Sequence, residues 1–506
     1  MVYELVTAAI VASVPDVILN LAEYLYGSNH KAFIGVQHMG RTLGLTADTT
    51  HNITGRPTKR AQRTYLADLK KIGAAYCQLP NEVFSLLGAQ HAMFNGHWLQ
   101  KRSQLTKTGK TLGSIFQDQQ ERTGLLFWVA KRQKHVLAVL DSPHVAYADA
   151  LAEDMVTVDA QPGTPKVESV TLTSPVVNFL ADTYFGEDYT RRRKRHGRED
   201  ALQKFGYSHS FEKLRPFFGR DAYNVFNFEA VFAQGVSPLD AVKPFVLDAA
   251  AAPTLAEFKH LHFNLAMLGN NHANDYGSRA LSTTLTQFNQ AGISTIGAGN
   301  DRLEARKIVE LTYGNQQVAL FNGYWYRNPA YNLFDFYASA DHAGVNCLDT
   351  MMADDIRQYK QSHPGATVIV SAHWGTDYGV IKPAQRTTAE RLVRAGADLI
   401  IGHGPHRLQP IEYVGAVPVL YSIGNGVFNN DGEFERRGVP PYAAVLRLDL
   451  AKRQLYWCPI YANNLKTFWQ PDFVSAADFE KVAQFNQPRF AVTQLAGNVN
   501  ALVLPF

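Results

Sequence analysis

Short apolar runs alternate with helical segments through the C-terminal two-thirds of the chain, and this alternation limits the folds open to it. Strand-length apolar runs separated by helices are typical of α/β domains, in which helices cover the faces of a sheet. Predicted strands cover Val176–Leu180, Tyr223–Phe228, Leu261–Met267, Gln317–Phe321, Thr367–Ser371 and Asp398–Ile401, and predicted helices cover Phe211–Phe217, Gly277–Ala291, Thr350–Ser362 and Ala384–Ala395. After residue 410 the pattern predicts short strands at Ile411–Val414, Val417–Tyr421, Ala443–Leu450 and Gln454–Tyr461.

The length of the chain indicates more than one domain. A chain of 506 residues exceeds the usual size of one domain, so two or three are expected. Two prolines and a glycine interrupt regular structure in segment 159–166, and we place a boundary near residue 165. Residues 1–165 are predicted to form a separate α+β domain of unknown function, and residues 166–506 the α/β domain. In the first domain, helices are predicted at Pro15–Tyr26, Thr58–Tyr76 and Asn81–Gln104, and a β-hairpin at Leu125–Ala130 and His135–Leu140.

Composition argues against several classes of protein. The net charge of +4 is too small over this length to indicate nucleic-acid binding. Cys77, Cys347 and Cys458 are far apart in the sequence, which indicates reduced thiols packed in cores. The apolar run Leu5–Val14 is much shorter than the roughly 20 residues that a membrane span needs, so it is predicted to be a buried helix or strand. We expect no integral membrane segment and a soluble, cytoplasmic protein.

Metal-ligand side chains follow the predicted strands. Side chains at the carboxyl ends of parallel strands converge on one edge of a sheet, where ligands bind. Carboxylate and amide oxygens together with imidazole nitrogens suit zinc, iron or manganese. A mixed set of this size matches two ions about 3.5–4 Å apart, which activate water and neutralise a phosphate. The predicted ligands are Asp182, Glu229, Asn271, His373, His403 and His406.

A basic run lies at residues 191–198. One interpretation is a solvated loop, and the other is a rim that attracts a phosphorylated or polyanionic substrate. No aromatic residues interleave the run, so it does not indicate nucleic acid as a partner. Arg191 and Arg192 of this run, together with Asn227 on the same strand face as Glu229, are the candidate substrate-binding residues.

These motifs resemble the CapA proteins of poly-γ-glutamate capsule biosynthesis. The matching segments, in the order of that family, are 179–186, 227–229, 270–277, 373–378, 395–398, 401–406 and 421–425. The resemblance covers about residues 170–465 and does not extend to residues 1–165. It implies a layered, metallophosphatase-like β-sandwich of the calcineurin type, flanked by helices. It also implies a metal-dependent phosphoesterase-type hydrolase in capsule biosynthesis, with other capsule-synthesis proteins as candidate partners.

The resemblance implies individual ligand roles. A first metal is assigned to Asp182 and His406, a second to Asn271, His373 and His403, and Glu229 takes the place of the bridging carboxylate. His272, which from sequence alone is either a ligand or a general acid, takes the place of the acid that protonates the leaving oxygen.

The chain also departs from the family. Gly404 stands where the family often has a second His, and Asp377 where it often has Glu. Tyr184 stands where the wider metallophosphatase pattern has a His. This last departure keeps an alternative open, in which the domain is a non-catalytic component of anionic polymer synthesis or export that retains part of the metal site.

Overall fold

The computed structural model describes most of the chain after residue 162 and selected segments before it. Described are residues 15–46, 66–80, 163–233, 245–327, 336–486 and 490–505, five strand segments (91–94, 97–100, 111–117, 123–129 and 134–140), and Val6, Ala9 and Leu151. The chain divides into two compact units, Met1–Gln161 and Pro162–Phe506. The predicted buried element at Leu5–Val14 falls, apart from Val6 and Ala9, outside the described residues.

The first unit contains helices and short antiparallel strands. Its helices are Pro15–Tyr26, Asn29–Thr42 and Leu66–Tyr76, and its strands are His91–Phe94, His97–Gln100, Thr111–Gln117, Thr123–Val129 and Lys134–Leu140. The predicted hairpin is confirmed, because the last two strands pair antiparallel. The helix predicted over Asn81–Gln104 is wrong in its second half, where two strands pair. The sequence places Asn95-Gly96 between them, a dipeptide that favours a two-residue hairpin loop.

Two large sheets form the framework of the second unit. The ten-stranded sheet has the order Ser294–Ile296, Phe263–Met267, Tyr223–Phe228, Val176–Tyr184, Tyr442–Asp449, Gln454–Tyr461, Val499–Pro505 and Ala491–Leu495; Asn425–Phe428 pairs with Val176–Tyr184, and Asp472–Phe473 with Gln454–Tyr461. The seven-stranded sheet has the order Leu408–Val414, Val417–Ile423, Leu399–His403, Thr367–His373, Gln316–Tyr324, Ile308–Tyr313 and Val167–Thr171. A small sheet pairs Ala298–Gly299 with Gly344–Val345.

Helices of the second unit lie between these strands in the sequence. They are Glu187–Arg195, Ala201–Phe205, Ala251–His260, Ser278–Gln290, Arg302–Ala305, Thr350–Ser362, Pro383–Ala395, Glu433–Arg437, Asn464–Thr467 and Ala476–Phe485, with 3₁₀ turns at Tyr207–Phe211 and Arg215–Phe217. Met352 and Leu392, from two of these helices, pack with Val370 of the seven-stranded sheet. Phe258 and Phe288, from two others, pack with Phe226 of the ten-stranded sheet. The α/β prediction is therefore confirmed.

The two sheets share a buried core. Phe179 and Leu265 of the ten-stranded sheet belong to the same cluster as Leu320 and Ile369 of the seven-stranded sheet. Their strands are therefore covered on both faces, which explains why they read as continuous apolar runs rather than as alternating patterns. Four neighbouring strands in each sheet run parallel, so their carboxyl ends lie on one edge.

Two local predictions are corrected. The basic run is not a solvated loop, because its first part lies in the helix Glu187–Arg195. Acidic residues occupy the first turn of that helix and basic residues the last, which suits the helix dipole. The helix predicted over Phe211–Phe217 is wrong. One 3₁₀ turn ends at Phe211 and another covers Arg215–Phe217, since Pro216 lacks the N–H that a continuous α-helix requires. Across the described residues, no helix has both the length and the apolar character needed to cross a membrane.

Candidate metal centre

Strand register brings the predicted ligands together. His373 and His403 end adjacent parallel strands and lie opposite each other in the register. Asp182 lies opposite Asn227 in one neighbouring strand and opposite Asn425 in another. The strand Val176–Tyr184 continues through Asp182, so this carboxylate projects from the strand itself rather than from a position after the strand's end, as the sequence predicted. Backbone hydrogen bonding therefore fixes the site before any ligand binds.

Two groups of buried side chains could each hold a cation. One group is Asp182, His373 and His403, and the other is Asp182, Glu229 and His406, with the ligand atoms of each group within 4.8 Å of one another. Asp182 Oδ2 lies 3.2 Å from His406 Nδ1, and Asp182 Oδ1 lies 3.5 Å from His403 Nδ1. Glu229 Oε1 lies 3.7 Å from Nε2 of both His373 and His406. Asp182 belongs to both groups.

The electrostatics of the site favour a bound cation. Burial raises the pKa of Asp182, but hydrogen bonds from His403 and His406 outweigh it and hold that pKa below its usual range. Burial, with the neighbouring His403, lowers the pKa of His373, which keeps its imidazole neutral as metal ligation requires. For His406 burial alone would lower the pKa, but Glu229 and Asp182 raise it to about 10. The two carboxylates therefore keep the His406 imidazole positively charged. A bound metal ion would supply the same positive charge in its place.

A network of hydrogen bonds orients the side chains of these predicted ligands. Asn227 Nδ2 donates to Asp182 Oδ1 (2.9 Å), and Gly404 N–H donates to Asp182 Oδ2 (3.1 Å). His406 Nδ1 lies 2.8 Å from Asn425 Oδ1. Such outer contacts fix ring orientation and tune ligand basicity. Asn227, a candidate substrate-binding residue, thus contacts the predicted metal ligand Asp182.

The contacts of His403 complete this network of hydrogen bonds. His403 Nε2 lies 2.7 Å from Ser371 Oγ, and the Nδ1 atoms of His373 and His403 lie 2.8 Å apart. Two ring nitrogens this close share at most one proton, and both can face one cation. His406 has a φ of 56°, a left-handed conformation that is uncommon for residues other than glycine and is concentrated at functional sites.

A cavity of about 770 Å³ opens beside this centre. Asn271, His272 and His406 line it. His272 Nε2 lies 3.9 Å from Glu229 Oε1, and its Nδ1 lies 2.6 Å from Asp275 Oδ2. The cavity wall therefore includes both the predicted general acid and the predicted amide ligand. The ligand role of Asn271 stays a prediction.

The basic run divides into residues with different surroundings. Arg192 lines the cavity, where its guanidinium pairs with Asp188 (2.8 Å) and lies 4.9 Å from the Phe245 ring centre. Arg191 is not among the lining residues and pairs with Asp248. Arg193 points inward, where its Nε donates to Asp431 Oδ1 (2.6 Å). Arg198, the last residue of the run, also lines the cavity, and so do three arginines that the sequence did not single out, namely Arg327, Arg436 and Arg437.

Sequence reasoning gave no role to several residues of the site. Asn425 follows the strand Val417–Ile423, and its position after a strand end was the available signal. Asp275 lies three residues after His272, and a turn can bring two residues at this spacing into contact. Tyr184, at the position of the expected histidine, is fully buried; its hydroxyl accepts from Asp188 N–H (2.8 Å) and donates to Asp248 O (3.2 Å). It is therefore a packed core residue.

Comparison with known proteins identifies related sequences. The family described as "Bacterial capsule synthesis protein PGA_cap" matches residues 176–430. The "PGA biosynthesis protein CapA" of Bacillus subtilis is 27% identical over 267 residues, which cover 53% of this chain and 66% of that protein. The "Capsule biosynthesis protein CapA" of Bacillus anthracis is 27% identical over 235 residues, covering 46% and 56%.

A third relative comes from Mycobacterium tuberculosis. The "Probable polyglutamine synthesis accessory protein" of that organism is 31% identical over 176 residues, which cover 33% of this chain and 46% of the relative. The matches to these three curated relatives thus span about half to two-thirds of each relative's own length. The family match contains the predicted ligand residues Asp182, Glu229, Asn271, His373, His403 and His406.

Proposed function

The chain belongs to the bacterial capsule synthesis protein PGA_cap family, and from that premise we propose that residues 166–506 form a metal-dependent phosphoesterase-type hydrolase in capsule or poly-γ-glutamate biosynthesis. One observation carries the proposal: two buried ligand groups that share Asp182 lie beside a cavity lined by His272. A structural cation alone would not require an open cavity beside its ligands, whereas a reaction does.

The donor set fits divalent cations. Two carboxylates and three imidazoles, all buried, offer oxygen and nitrogen ligands of the kind that manganese, iron and zinc accept. We assign Asp182 and His406 to one ion and Asn271, His373 and His403 to a second. Glu229 would be shared between the two ions, and so would Asp182, which belongs to both groups. Bound metals of this type activate water and neutralise charge on a phosphoryl group.

The chain's own residues supply the remaining chemistry. His272 lines the cavity and would give a proton from Nε2 to the leaving oxygen. Arg192 lies on the cavity wall, where its charge would attract an anionic substrate. Asn227 holds Asp182 in place through its amide (2.9 Å). We therefore propose a phosphorylated or polyanionic substrate and no nucleic acid, with other capsule-synthesis proteins as partners.

The same proposal assigns a metallophosphatase-type layered fold to the second unit. It is supported by two sheets with a common core and by helices packed on their outer faces. It is also supported by ligands at the carboxyl ends of parallel strands, where α/β sheets bind their ligands.

The test begins with metal content. We would purify the protein without chelator, measure bound metals, and then measure phosphomonoesterase and phosphodiesterase activity with added Mn²⁺. We expect bound metal and an activity that His272→Ala reduces by about 100-fold or more on unactivated esters, as loss of a general acid usually does. Absence of bound metal, together with no effect of His272→Ala on any hydrolysis, would rule out the proposal.

A second candidate function is favoured by Tyr184. The wider metallophosphatase pattern has a histidine at this position, but here a buried tyrosine packs with Phe428 (ring centres 5.7 Å apart). A first metal shell that is short of one ligand suits a non-catalytic role in anionic polymer synthesis or export. His403→Ala would distinguish the two: the non-catalytic role predicts normal polymer production in a strain lacking its own copy. The hydrolase predicts loss of production despite normal folding.

A further inference from the structure

We infer that Tyr378 contacts the substrate and donates a hydrogen bond from its hydroxyl to a phosphoryl oxygen. This inference rests on the proposed hydrolase function and names a further residue for it. Tyr378 lines the cavity together with His406. The two rings lie 5.8 Å apart between centres, with 37° between their planes. A phosphoryl group bound in the cavity beside His406 would therefore lie next to Tyr378.

The backbone holds Tyr378 and His406 in unusual conformations that face each other. Tyr378 has a φ of 55° and His406 a φ of 56°. Such left-handed conformations are uncommon for bulky residues and persist only where the surroundings impose them. Here Tyr378 N–H donates to Pro405 O (2.8 Å), and Arg407 Nη1 donates to Tyr378 O (3.3 Å). Tyr378 is thus tied to the two residues that flank His406 in the sequence.

Two buried glutamines hold the residues that follow Tyr378. Gln409 Nε2 donates to Gly379 O (3.0 Å), and Gln409 Oε1 accepts from Gln385 Nε2 (3.0 Å). Gln385 Oε1 in turn accepts from Lys382 N–H (2.9 Å). Both glutamine side chains are buried, so breaking these hydrogen bonds would leave polar groups without water. The loop therefore keeps Tyr378 at the cavity before any substrate binds.

The contacts of Asn430 leave the hydroxyl of Tyr378 with a hydrogen to donate. Asn430 Oδ1 accepts from the N–H groups of Gly432 (2.9 Å) and Glu433 (3.4 Å), so its amide nitrogen is the atom that faces Tyr378. Asn430 Nδ2 donates to the hydroxyl oxygen (3.2 Å), which is therefore an acceptor in this contact and keeps its own hydrogen for another partner. Gly432 and Glu433 line the cavity, so this end of the tyrosine lies at the cavity wall.

A tyrosine hydroxyl suits a phosphoryl oxygen. The ordinary pKa of tyrosine is about 10, so the hydroxyl is protonated at neutral pH. Its hydrogen bond to a negatively charged oxygen stabilises that charge throughout the reaction. During hydrolysis a water oxygen forms a bond to phosphorus and the bond to the leaving oxygen breaks. The leaving oxygen takes a proton from His272, and the attacking water loses a proton to solvent. Tyr378 keeps its proton in every step.

Tyr378→Phe removes the hydroxyl and keeps the ring that packs against His406. With added Mn²⁺ and bis(p-nitrophenyl) phosphate as substrate, we expect kcat/KM to fall about 10- to 100-fold, as loss of one hydrogen bond to a charged oxygen does. Metal content, measured by elemental analysis, should match that of the wild-type protein. Unchanged hydrolysis would overturn the inference. A loss of activity that is accompanied by a loss of metal would assign the hydroxyl a structural role and would overturn it as well.

Tyr189→Phe is the matched control. Tyr189 also lines the cavity, but its ring lies against Phe245 (centres 5.6 Å apart) and the guanidinium of Arg192 (5.5 Å). The substitution removes the same group from the same cavity, away from His406, so we expect kcat/KM to change less than about twofold. An equal loss in both variants would assign the effect to the general polarity of the cavity and overturn the inference.

A binding measurement keeps the inference testable if no ester is hydrolysed. Titration calorimetry with inorganic phosphate, on the protein as purified, reports the contact without any reaction. We expect Tyr378→Phe to raise the Kd of phosphate about tenfold and Tyr189→Phe to leave it nearly unchanged. Equal Kd values for Tyr378→Phe and wild type, or no phosphate binding to the wild-type protein, would overturn the inference. Weaker phosphate binding by Tyr378→Phe, with no ester hydrolysed by the wild-type protein, would count against the proposed hydrolase alone.

Discussion

Asp182 lies within 3.2 Å of His406 through one carboxylate oxygen and within 3.5 Å of His403 through the other. One carboxylate therefore joins the two candidate ligand groups. Both histidines lie at the end of one strand. His403 is the last residue of Leu399–His403, and His406 comes three residues later. A change at Asp182 should consequently affect both groups, whereas a change at one histidine should mainly affect its own.

Asp182→Asn is predicted to lower the metal content more than His373→Ala does. The substitution removes the negative charge common to both groups, while His373→Ala removes a neutral ligand from one. We expect Asp182→Asn to lose most of the bound metal and His373→Ala to retain part of it, as measured by elemental analysis after dialysis. Asp354→Asn, at an exposed carboxylate that pairs with Arg357, is the control and should retain wild-type content. Equal loss in the first two variants would contradict a shared role for Asp182.

Gly404→Ala is predicted to disturb the site by collision rather than by backbone strain alone. Gly404 has a φ of 105°, and an added Cβ would lie 2.8 Å from His373 Nε2 and 2.9 Å from Trp374 O. Gly415 also has a positive φ, 62°, but an added Cβ there meets nothing within 4 Å. Both variants should lose stability because alanine disfavours positive φ. Only Gly404→Ala should also lose metal affinity, and titration calorimetry with Mn²⁺ would show the difference.

Glu187 is predicted to make the protein less stable as the pH rises. Burial raises the pKa of Glu187 to about 7 from an ordinary 4.5, although Ala250 N–H and Tyr207 donate hydrogen bonds to it. A raised pKa in the folded state means that stability is fully present below pH 4.5 and is lost as the pH rises to about 7. The loss amounts to about 3 kcal/mol. Glu187→Gln should remove this loss of stability. The urea midpoint of that variant should therefore change less with pH between pH 5 and 8.

An exposed glutamate provides the comparison for that measurement. Glu390 lies on the exposed face of the helix Pro383–Ala395. Glu390→Gln should leave the pH dependence of the urea midpoint as in the wild-type protein. If Glu187→Gln shows the wild-type pH dependence too, the carboxyl of Glu187 is not the group responsible.

The sequence predicted the strands that carry the site more accurately than the contacts between its side chains. Apolar runs before His373 and His403 predicted strands that end close to these residues, because strands buried on both faces need continuous apolar sequence. A run of like charges could not predict that the side chain of Arg193 points inward to Asp431. Its direction depends on the periodicity of the helix and on the position of Asp431, which is distant in the sequence. The pairing of His406 with Asn425 likewise depends on a strand partner chosen by tertiary structure.

Asp355→Ala is predicted to be strongly destabilising. Arg306 and Asp355 form a two-point ion pair, with Nε–Oδ2 at 2.9 Å and Nη2–Oδ1 at 2.6 Å, and only 4% and 2% of their side chains are exposed. Removing the carboxylate takes this two-point ion pair away from a buried guanidinium, which costs about 3–5 kcal/mol. The adjacent Asp354→Ala, at an exposed position, should cost less than about 0.5 kcal/mol. Urea unfolding of both variants measures the difference, and similar values would argue against a buried ion pair.

Arg192→Ala is predicted to weaken substrate binding more than Arg191→Ala. The two arginines are neighbours with similar exposure, 42% and 48%, but only Arg192 lines the cavity, whereas Arg191 is held by Asp248. For an anionic phosphodiester we expect Arg192→Ala to raise KM about fivefold at low salt, as expected for a partly exposed charge pair. The effect should shrink as salt screens the charge. Arg191→Ala should leave KM nearly unchanged, and neither variant should alter kcat, because neither side chain contacts the ligand groups or His272. If the two variants raise KM equally, net positive charge near the cavity, rather than the position of Arg192, governs substrate attraction.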